Sequence, residues 1–427
     1  MEGAPLAQPA LLTMARGAGI PFLGPGQEQQ IPLLSFDLQR YLLADSTLTP
    51  PERNELRKFS ELLREILHRE FLSWIDALLD LYSPLDPDSE VIPIQNSSLA
   101  RSDGSDETFL KAFETVLLRA NFRELKSAEV MEAIRAPNEL GLNYEPNFEL
   151  FEHLKVFVRG RTKVKRTVRK FRSWFRSETV ELHAFRRLVV VVKFRQESKL
   201  DSFVRSDVVY VRLFKDVPFV DMEMHLPEQG TKIRMRPIDK AQIASPLIVG
   251  LPAIASQLFT VIPISPMAIA GVLFAPISAG VKSFFGFRQA KEKHLHRMIR
   301  HLYYLTLANN VGVLHWLGNA AEEEDFKEVL LAYWFLNRNR DDPQRCTLEA
   351  VDREIEALLL KLTNRPINFD AEDALQKLQS LGLVMRAVDG VYSALTVQDA
   401  LRSLDEQWDN YFQYSQPGRA AETQYPD

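Results

Sequence analysis

The sequence predicts an α+β membrane protein. Its parts are an N-terminal helical region, a mixed α/β central domain, a two-span transmembrane helical hairpin and a C-terminal winged-helix-like domain. Three observations predict this. Ala241–Val281 runs for 41 residues without an Asp, Glu, Lys or Arg, in a chain that is 26% charged. From Phe151 the apolar pattern changes from helical to strand spacing. Beyond Glu322 the order is helix, helix, short extended piece, helix and β-hairpin, which is winged-helix order.

Residues 1–32 are rich in Gly, Pro and Gln and read as disordered. Met1–Gln30 holds one Arg and no continuous apolar core, so neither a secretory signal nor an Arg-rich transit peptide is expected there. Residues 33–150 read as a helical domain. Leu33–Ala44 forms one helix, and Pro50–Tyr82 a long one with Phe59, Leu62, Leu63, Ile66, Phe71, Trp74, Ile75, Leu78 and Leu79 on one stripe. Asp86, Asp88 and Glu90 have part of the spacing of a calcium loop. The loop's glycine and distal glutamate are missing, so the segment reads as a solvated turn. A polar loop, Asn96–Asp106, and helices at Glu107–Arg119 and Ser127–Arg135 complete the region.

Residues 151–240 read as a β-rich domain. His153–Arg159, Val180–Phe185, Arg187–Phe194, Val208–Phe214, Phe219–Leu226 and Lys232–Arg236 favour strand, and Val189–Val192 has the continuous apolar character of a strand buried on both faces. Pairing the last two strands around Pro227-Glu228-Gln229-Gly230 sets Glu223 against Arg234 and Asp221 against Arg236, as structural charge pairs. Between the strands, Arg159–Arg176 carries nine Lys or Arg and no acid. Val164, Val168, Phe171 and Phe175 fall at helical spacing, so the segment predicts a basic amphipathic helix. Such a helix suits an anionic lipid surface, through Arg159, Arg161, Lys163, Lys165, Arg166, Arg169, Lys170, Arg172, Trp174, Phe175 and Arg176. The alternative is a helix packed on the sheet with a solvated basic face.

Residues 241–285 are the expected hairpin. A single span needs ~20 apolar residues, and Pro263-Ile264-Ser265-Pro266 supplies a turn between two. Cations flank both ends and none lies in the turn, so both termini are expected on the cytoplasmic side. Residues 286–320 read as a long helix from Phe287 to about Trp316, whose His294, His296 and His301 lack the further ligands of a metal site.

Residues 321–415 read as the winged-helix-like domain. It has helices at Glu324–Asn337 and Thr347–Leu362, an extended Ile367–Phe369, and a helix capped by Asp370. A hairpin then turns at Asp389-Gly390, and a last helix runs from Thr396 to Phe412. The third helix opens Asp370-Ala371-Glu372-Asp373 and holds only Lys377 as a base, so it repels phosphate and points to a protein partner rather than nucleic acid. Residues 416–427 read as a disordered tail. The net charge is −5, and Cys346 is the one cysteine, which excludes a disulfide within the chain. No cofactor is expected.

Several short strings resemble the transmembrane protein 143-like proteins, whose shared region is a domain of unknown function. They are Tyr82-Ser83-Pro84-Leu85-Asp86-Pro87-Asp88, Val158-Arg159-Gly160, Leu213-Phe214-Lys215-Asp216-Val217-Pro218 with Asp221-Met222-Glu223-Met224, and Lys232-Ile233-Arg234-Met235 with Asp239-Lys240. Tyr303-Tyr304 to Asn309-Asn310 and Lys327-Glu328 to Ala332-Tyr333 complete them. The resemblance implies two membrane spans and assigns no catalytic residue. The expected function is a membrane-anchored scaffold or adaptor in a bacterial inner membrane, with a mitochondrial membrane the lesser expectation. The alternatives are a transport or channel component, and a membrane-bound enzyme using Lys215, Asp216, Asp221 and Glu223.

Overall fold

The computed structural model describes residues 28–90, 104–135, 143–169, 177–196, 202–226, 231–234 and 302–411, with single residues between 285 and 300. In chain order the elements are α1 (Ser35–Leu43), α2 (Pro50–Tyr82), α3 (Ser105–Arg119), β1 (Arg123–Glu124), α4 (Ser127–Arg135), β2 (Asn143–Pro146), β3 (Phe151–Arg169) and β4 (Ser177–Phe194). These are followed by β5 (Val209–Pro218), β6 (Thr231–Arg234), β7 (Thr306–Asn309), α5 (Val311–Arg338), α6 (Leu348–Thr363), α7 (Ala371–Ser380), β8 (Val384–Arg386), β9 (Tyr392–Ala394) and α8 (Val397–Asp409). The chain falls into two compact units. Among the described residues, the first takes 83–90, 104–106 and those from 123 to 313; the second takes 28–82, 107–122 and 314–411.

The first unit is built on a five-stranded antiparallel sheet in the order β1-β3-β4-β5-β7. Leu188–Val192 in β4 are all buried although successive side chains point to opposite faces, so this sheet is covered on both sides. Asn310 joins three pieces of the unit. Its N–H donates to the Val211 carbonyl at 2.7 Å, its Oδ1 accepts from the Val211 N–H at 3.1 Å, and its Nδ2 donates to Asp88 Oδ2 at 2.6 Å. Its φ of 47° is one that asparagine tolerates better than most residues. Asp88 in turn sits in a side-chain-supported turn, its N–H donating to Asp86 Oδ1 at 3.0 Å.

The second unit has one apolar core drawn from α1, α2, α5, α6, α7, the β8–β9 hairpin and α8. On α2 the buried stripe is Leu56, Phe59, Leu63, Leu67, Phe71, Ile75, Leu78 and Tyr82, spaced to keep one face inward. Phe59 stacks on Tyr333 of α5 with centroids 4.2 Å apart. A Cβ at Gly318 would stand 2.5 Å from Ile75 side-chain carbons, so glycine there permits the close approach of α5 to α2. Towards the C-terminus, Thr347 caps α6, Asp370 caps α7 and Thr396 caps α8, each accepting from a backbone N–H three residues on. Thr347 bridges Val391, adding a third extended piece beside β8 and β9. The hairpin turns at Gly390, whose φ is +83°.

Several expectations are corrected. Among the described residues no helix is long and apolar enough to cross a membrane, which overturns the membrane-protein fold class and the inner-membrane location that rested on it. The fold described is α+β, with helices and an antiparallel sheet. Ala241–Val281, the stretch read as a hairpin, lies outside the described residues.

The basic amphipathic helix is likewise not formed over its described part, Arg159–Arg169. Arg159–Arg169 lies in β3, paired residue for residue with β4 from Arg159↔Arg187 to Arg169↔Ser177. Thr162, Val164, Thr167 and Val168 are β-branched and favour strand, and Lys165 stands opposite Glu181 in the register. Helical spacing of four apolar residues was outweighed by that pairing.

Phe219–His225 is a 3₁₀ turn rather than a strand, and β6 pairs with β2, Asn143 opposite Arg234. The expected long helix ending near Trp316 is interrupted by β7, after which α5 continues unbroken to Arg338.

Candidate functional site

Among the described residues, clusters of three or more charged side chains gather in the interior around Asp106 and around Asp325. In the first unit, Lys193 Nζ lies 2.6 Å from Asp106 Oδ2 and 3.1 Å from Glu152 Oε2, and His153 Nε2 lies 3.2 Å from the same Asp106 oxygen. Asp106, Glu152 and His153 are near enough to share an ion, but the Lys193 ammonium already supplies the positive charge. Burial alone would raise the Asp106 pKa; the bond and charge of Lys193 outweigh it and hold the carboxyl below its usual value.

The larger cluster belongs to the second unit and is centred on α5. Glu324, Asp325, Lys327 and Glu328 are buried there, within one turn of each other. Lys327 Nζ donates to Glu324 Oε1 and to the Ile31 carbonyl, both at 2.7 Å, while the Ile31 N–H donates to Glu324 Oε2 at 3.0 Å. Lys377, on α7, reaches Asp325 at 2.7 Å, Asp373 at 2.5 Å and Glu328 at 3.8 Å. From the end of α3, Arg119 lies 3.6 Å from Asp325 and 3.8 Å from Glu70, its guanidinium over the Trp74 ring at 3.6 Å.

Asn121 follows α3 with φ 58°. The Phe122 N–H donates to Leu117 and the Asn121 N–H to Leu118, which is a Schellman ending. That ending aims the Asn121 amide at Glu328 Oε1, 3.2 Å away.

Burial pushes Asp325 up to about 6, against the pull of Lys377 and Arg119. It pushes Glu328 up to about 8, with Lys377 opposing and Asp325 and Glu324 adding to the rise. For Lys377 burial works downwards, but the charges of Asp325 and Glu328 and the bonds to Asp325 and Asp373 outweigh it, so its pKa is raised. Asp325, Glu328 and Asp373 also lie close enough to share a metal ion; here the Lys377 ammonium takes the position between them.

On α7 the consequence is direct. Lys377 is the one cation of the helix and is turned inward, leaving Glu372, Gln376, Gln379 and Ser380 on the outer face. Beside it the β8–β9 hairpin exposes Met385, at 64%, and Val388 at its tip, fully exposed. Arg386 folds back over the Tyr392 ring at 5.6 Å.

The residues expected to matter are mostly elsewhere. Arg159 is buried in β3, Arg161 and Arg166 are half-buried, and Lys163 and Lys165 are exposed. Arg169 ends β3; Lys170, Arg172, Trp174, Phe175 and Arg176 lie outside the described residues. Lys163 pairs with Glu181 at 3.5 Å. Asp221 is buried and ion-paired with Arg166, its Oδ1 accepting from Nη1 at 3.3 Å. Its expected partner Arg236 lies outside the described residues, Arg234 stands on β6, and Glu223 lies in the 3₁₀ turn.

Lys215 stands opposite Arg187 in the sheet, which continues to Arg159, so three cations share one row. Burial lowers the Arg187 pKa, and neighbouring Asp216 works against that. His296 is exposed, and His294 and His301 lie outside the described residues.

The α5 cluster was missed, although a signal was present. Glu322–Asp325 precede Val329–Leu336, which are apolar on every side of the helix. A helix apolar all round is a buried helix, so acids one turn earlier needed internal partners.

The fold and its clusters define an α+β protein with interior ion networks. Residues 152–312, from β3 to the first turn of α5, match a family described as protein of unknown function (DUF3754). No solved structure matches the chain.

Proposed function

We propose that this chain is a scaffold or adaptor whose C-terminal helices and hairpin dock a protein partner. The observation that carries the reading is the inward turn of Lys377, the only cation on α7. In winged-helix order α7 is the helix that would enter a DNA groove. Without an outward cation, and with Glu372 and Asp373 in its first turn, it has nothing to offer phosphate. The exposed Met385 and Val388 of the hairpin instead suit an apolar protein contact.

The enzyme alternative finds less support, because Asp221 is engaged by Arg166 as a structural ion pair. The transport alternative required membrane spans, and among the described residues no helix is long and apolar enough to be one. Membership of the transmembrane protein 143-like proteins is proposed on the sequence strings alone. The bonding of Asp88 to Asn310 gives two of those strings a structural reason.

Fluorescence anisotropy with duplex DNA and with RNA, using the full-length chain at low salt, tests the choice of partner class. No binding tighter than the ~10⁻⁴–10⁻⁶ M of non-specific association is expected. Salt-sensitive binding well below that range, weakened by changes on α7 or the hairpin, contradicts the proposal.

A further inference from the structure

We infer that Glu328 keeps its proton in the folded chain at neutral pH, and that the seam between α5 and α7 is thereby a proton-responsive joint. Five carboxylates, Glu70, Glu324, Asp325, Glu328 and Asp373, face three cations, Arg119, Lys327 and Lys377. Glu324 has Lys327 at 2.7 Å. Asp325 has Lys377 at 2.7 Å and Arg119 at 3.6 Å, and Asp373, half in solvent, has Lys377 at 2.5 Å. Glu70 is also half in solvent.

Glu328 is the group left over. Its nearest cation is Lys377 at 3.8 Å, which two other carboxylates approach more closely. It is 5% exposed, and Asp325 and Glu324 on its own helix repel its charge. An ionised carboxylate in that position is a buried charge without its own counter-ion, which neutralisation relieves. The contact it does hold, accepting from Asn121 Nδ2 at 3.2 Å, is available to a neutral carboxylic acid as well.

Raising the pH removes the proton and adds a buried negative charge between α5, α7 and the end of α3. That charge falls beside the contacts of Lys377 with Asp325 and Glu328 and of Asn121 with Glu328, so the seam loosens there. The sign follows from proton counting. Between the unfolded Glu value and the folded one, the folded state binds more protons, so stability falls as pH rises through that interval.

Thermal unfolding of the full-length chain at about pH 6 and about pH 9, with Glu328→Gln alongside, tests the inference. The wild type is expected to lose several degrees of Tm across that range. Glu328→Gln, whose amide imitates the neutral acid, is expected to lose clearly less. Infrared spectroscopy of the wild type needs no variant: a protonated-carboxyl band is expected at neutral pH and is expected to vanish on alkaline titration. A flat wild-type Tm, an unchanged slope in the variant or no such band overturns the inference.

Discussion

Lys377 holds Asp325 and Asp373 within 2.7 Å and Glu328 at 3.8 Å, and its removal would leave those carboxylates facing one another. Lys377→Met is expected to destabilise the second unit by ~3–5 kcal/mol, the usual cost of breaking a buried pair from one side. Equilibrium urea unfolding reads this as a lower midpoint. Asn121 gives a finer test, because it supplies both a left-handed backbone and an amide for Glu328. Asn121→Gly keeps the first and loses the second, whereas Asn121→Ala loses both. The alanine variant is expected to be the less stable by about 1 kcal/mol, the cost of forcing a Cβ into that conformation. Equal midpoints would mean that the Schellman ending does not depend on Asn121. None of these roles was readable from local sequence. Lys377 was visible as the only base of its helix, but its direction depends on α5, some fifty residues earlier in the chain.

The β3–β4 hairpin is the element on which sequence and structure part most clearly. Nine cations without an acid suggested a helix on lipid, yet the partner strand carries the acids, Glu178 opposite Val168 and Glu181 opposite Lys165. Periodicity within one segment cannot register a neutralising partner on another. Where the pattern was local, it served well: Phe59, Leu63, Phe71, Ile75 and Leu78 of the expected α2 stripe are buried, and the cap Asp370 and the turn at Gly390 are in place. Thr162 and Ala184 are direct cross-strand partners. Their Cα atoms should stand ~4.5–5.5 Å apart, within disulfide reach. Thr162→Cys with Ala184→Cys is expected to form an intrachain disulfide on mild oxidation, seen as a mobility shift reversed by reductant. A helix over Arg159–Arg176 would leave the pair uncrosslinked.

At the scale of the whole chain, a net charge of −5 and an interior rich in carboxylates set the response to pH. Asp325 is raised from 3.8 to about 6 and Glu328 from 4.5 to about 8. Both shifts have the same sign, so together they make stability fall as pH rises from about 4 to about 8. Midpoints measured across that range are expected to be highest on the acidic side, wherever the remaining carboxylates stay ionised. The units are each assembled from separate stretches of chain, which explains why a linear reading placed elements better than it placed their neighbours.

The C-terminal hairpin, with Met385 and Val388 exposed, is where a protein partner is proposed to dock. Photo-crosslinking from Val388 in the full-length chain, inside its own cells, tests that directly, with Met385→Asp as the variant and an exposed residue of α1 as the reference position. The account predicts a discrete protein adduct from Val388 that disappears with Met385→Asp and is not formed from α1. Adducts to nucleic acid, or the same faint spread of products from both positions, would contradict it.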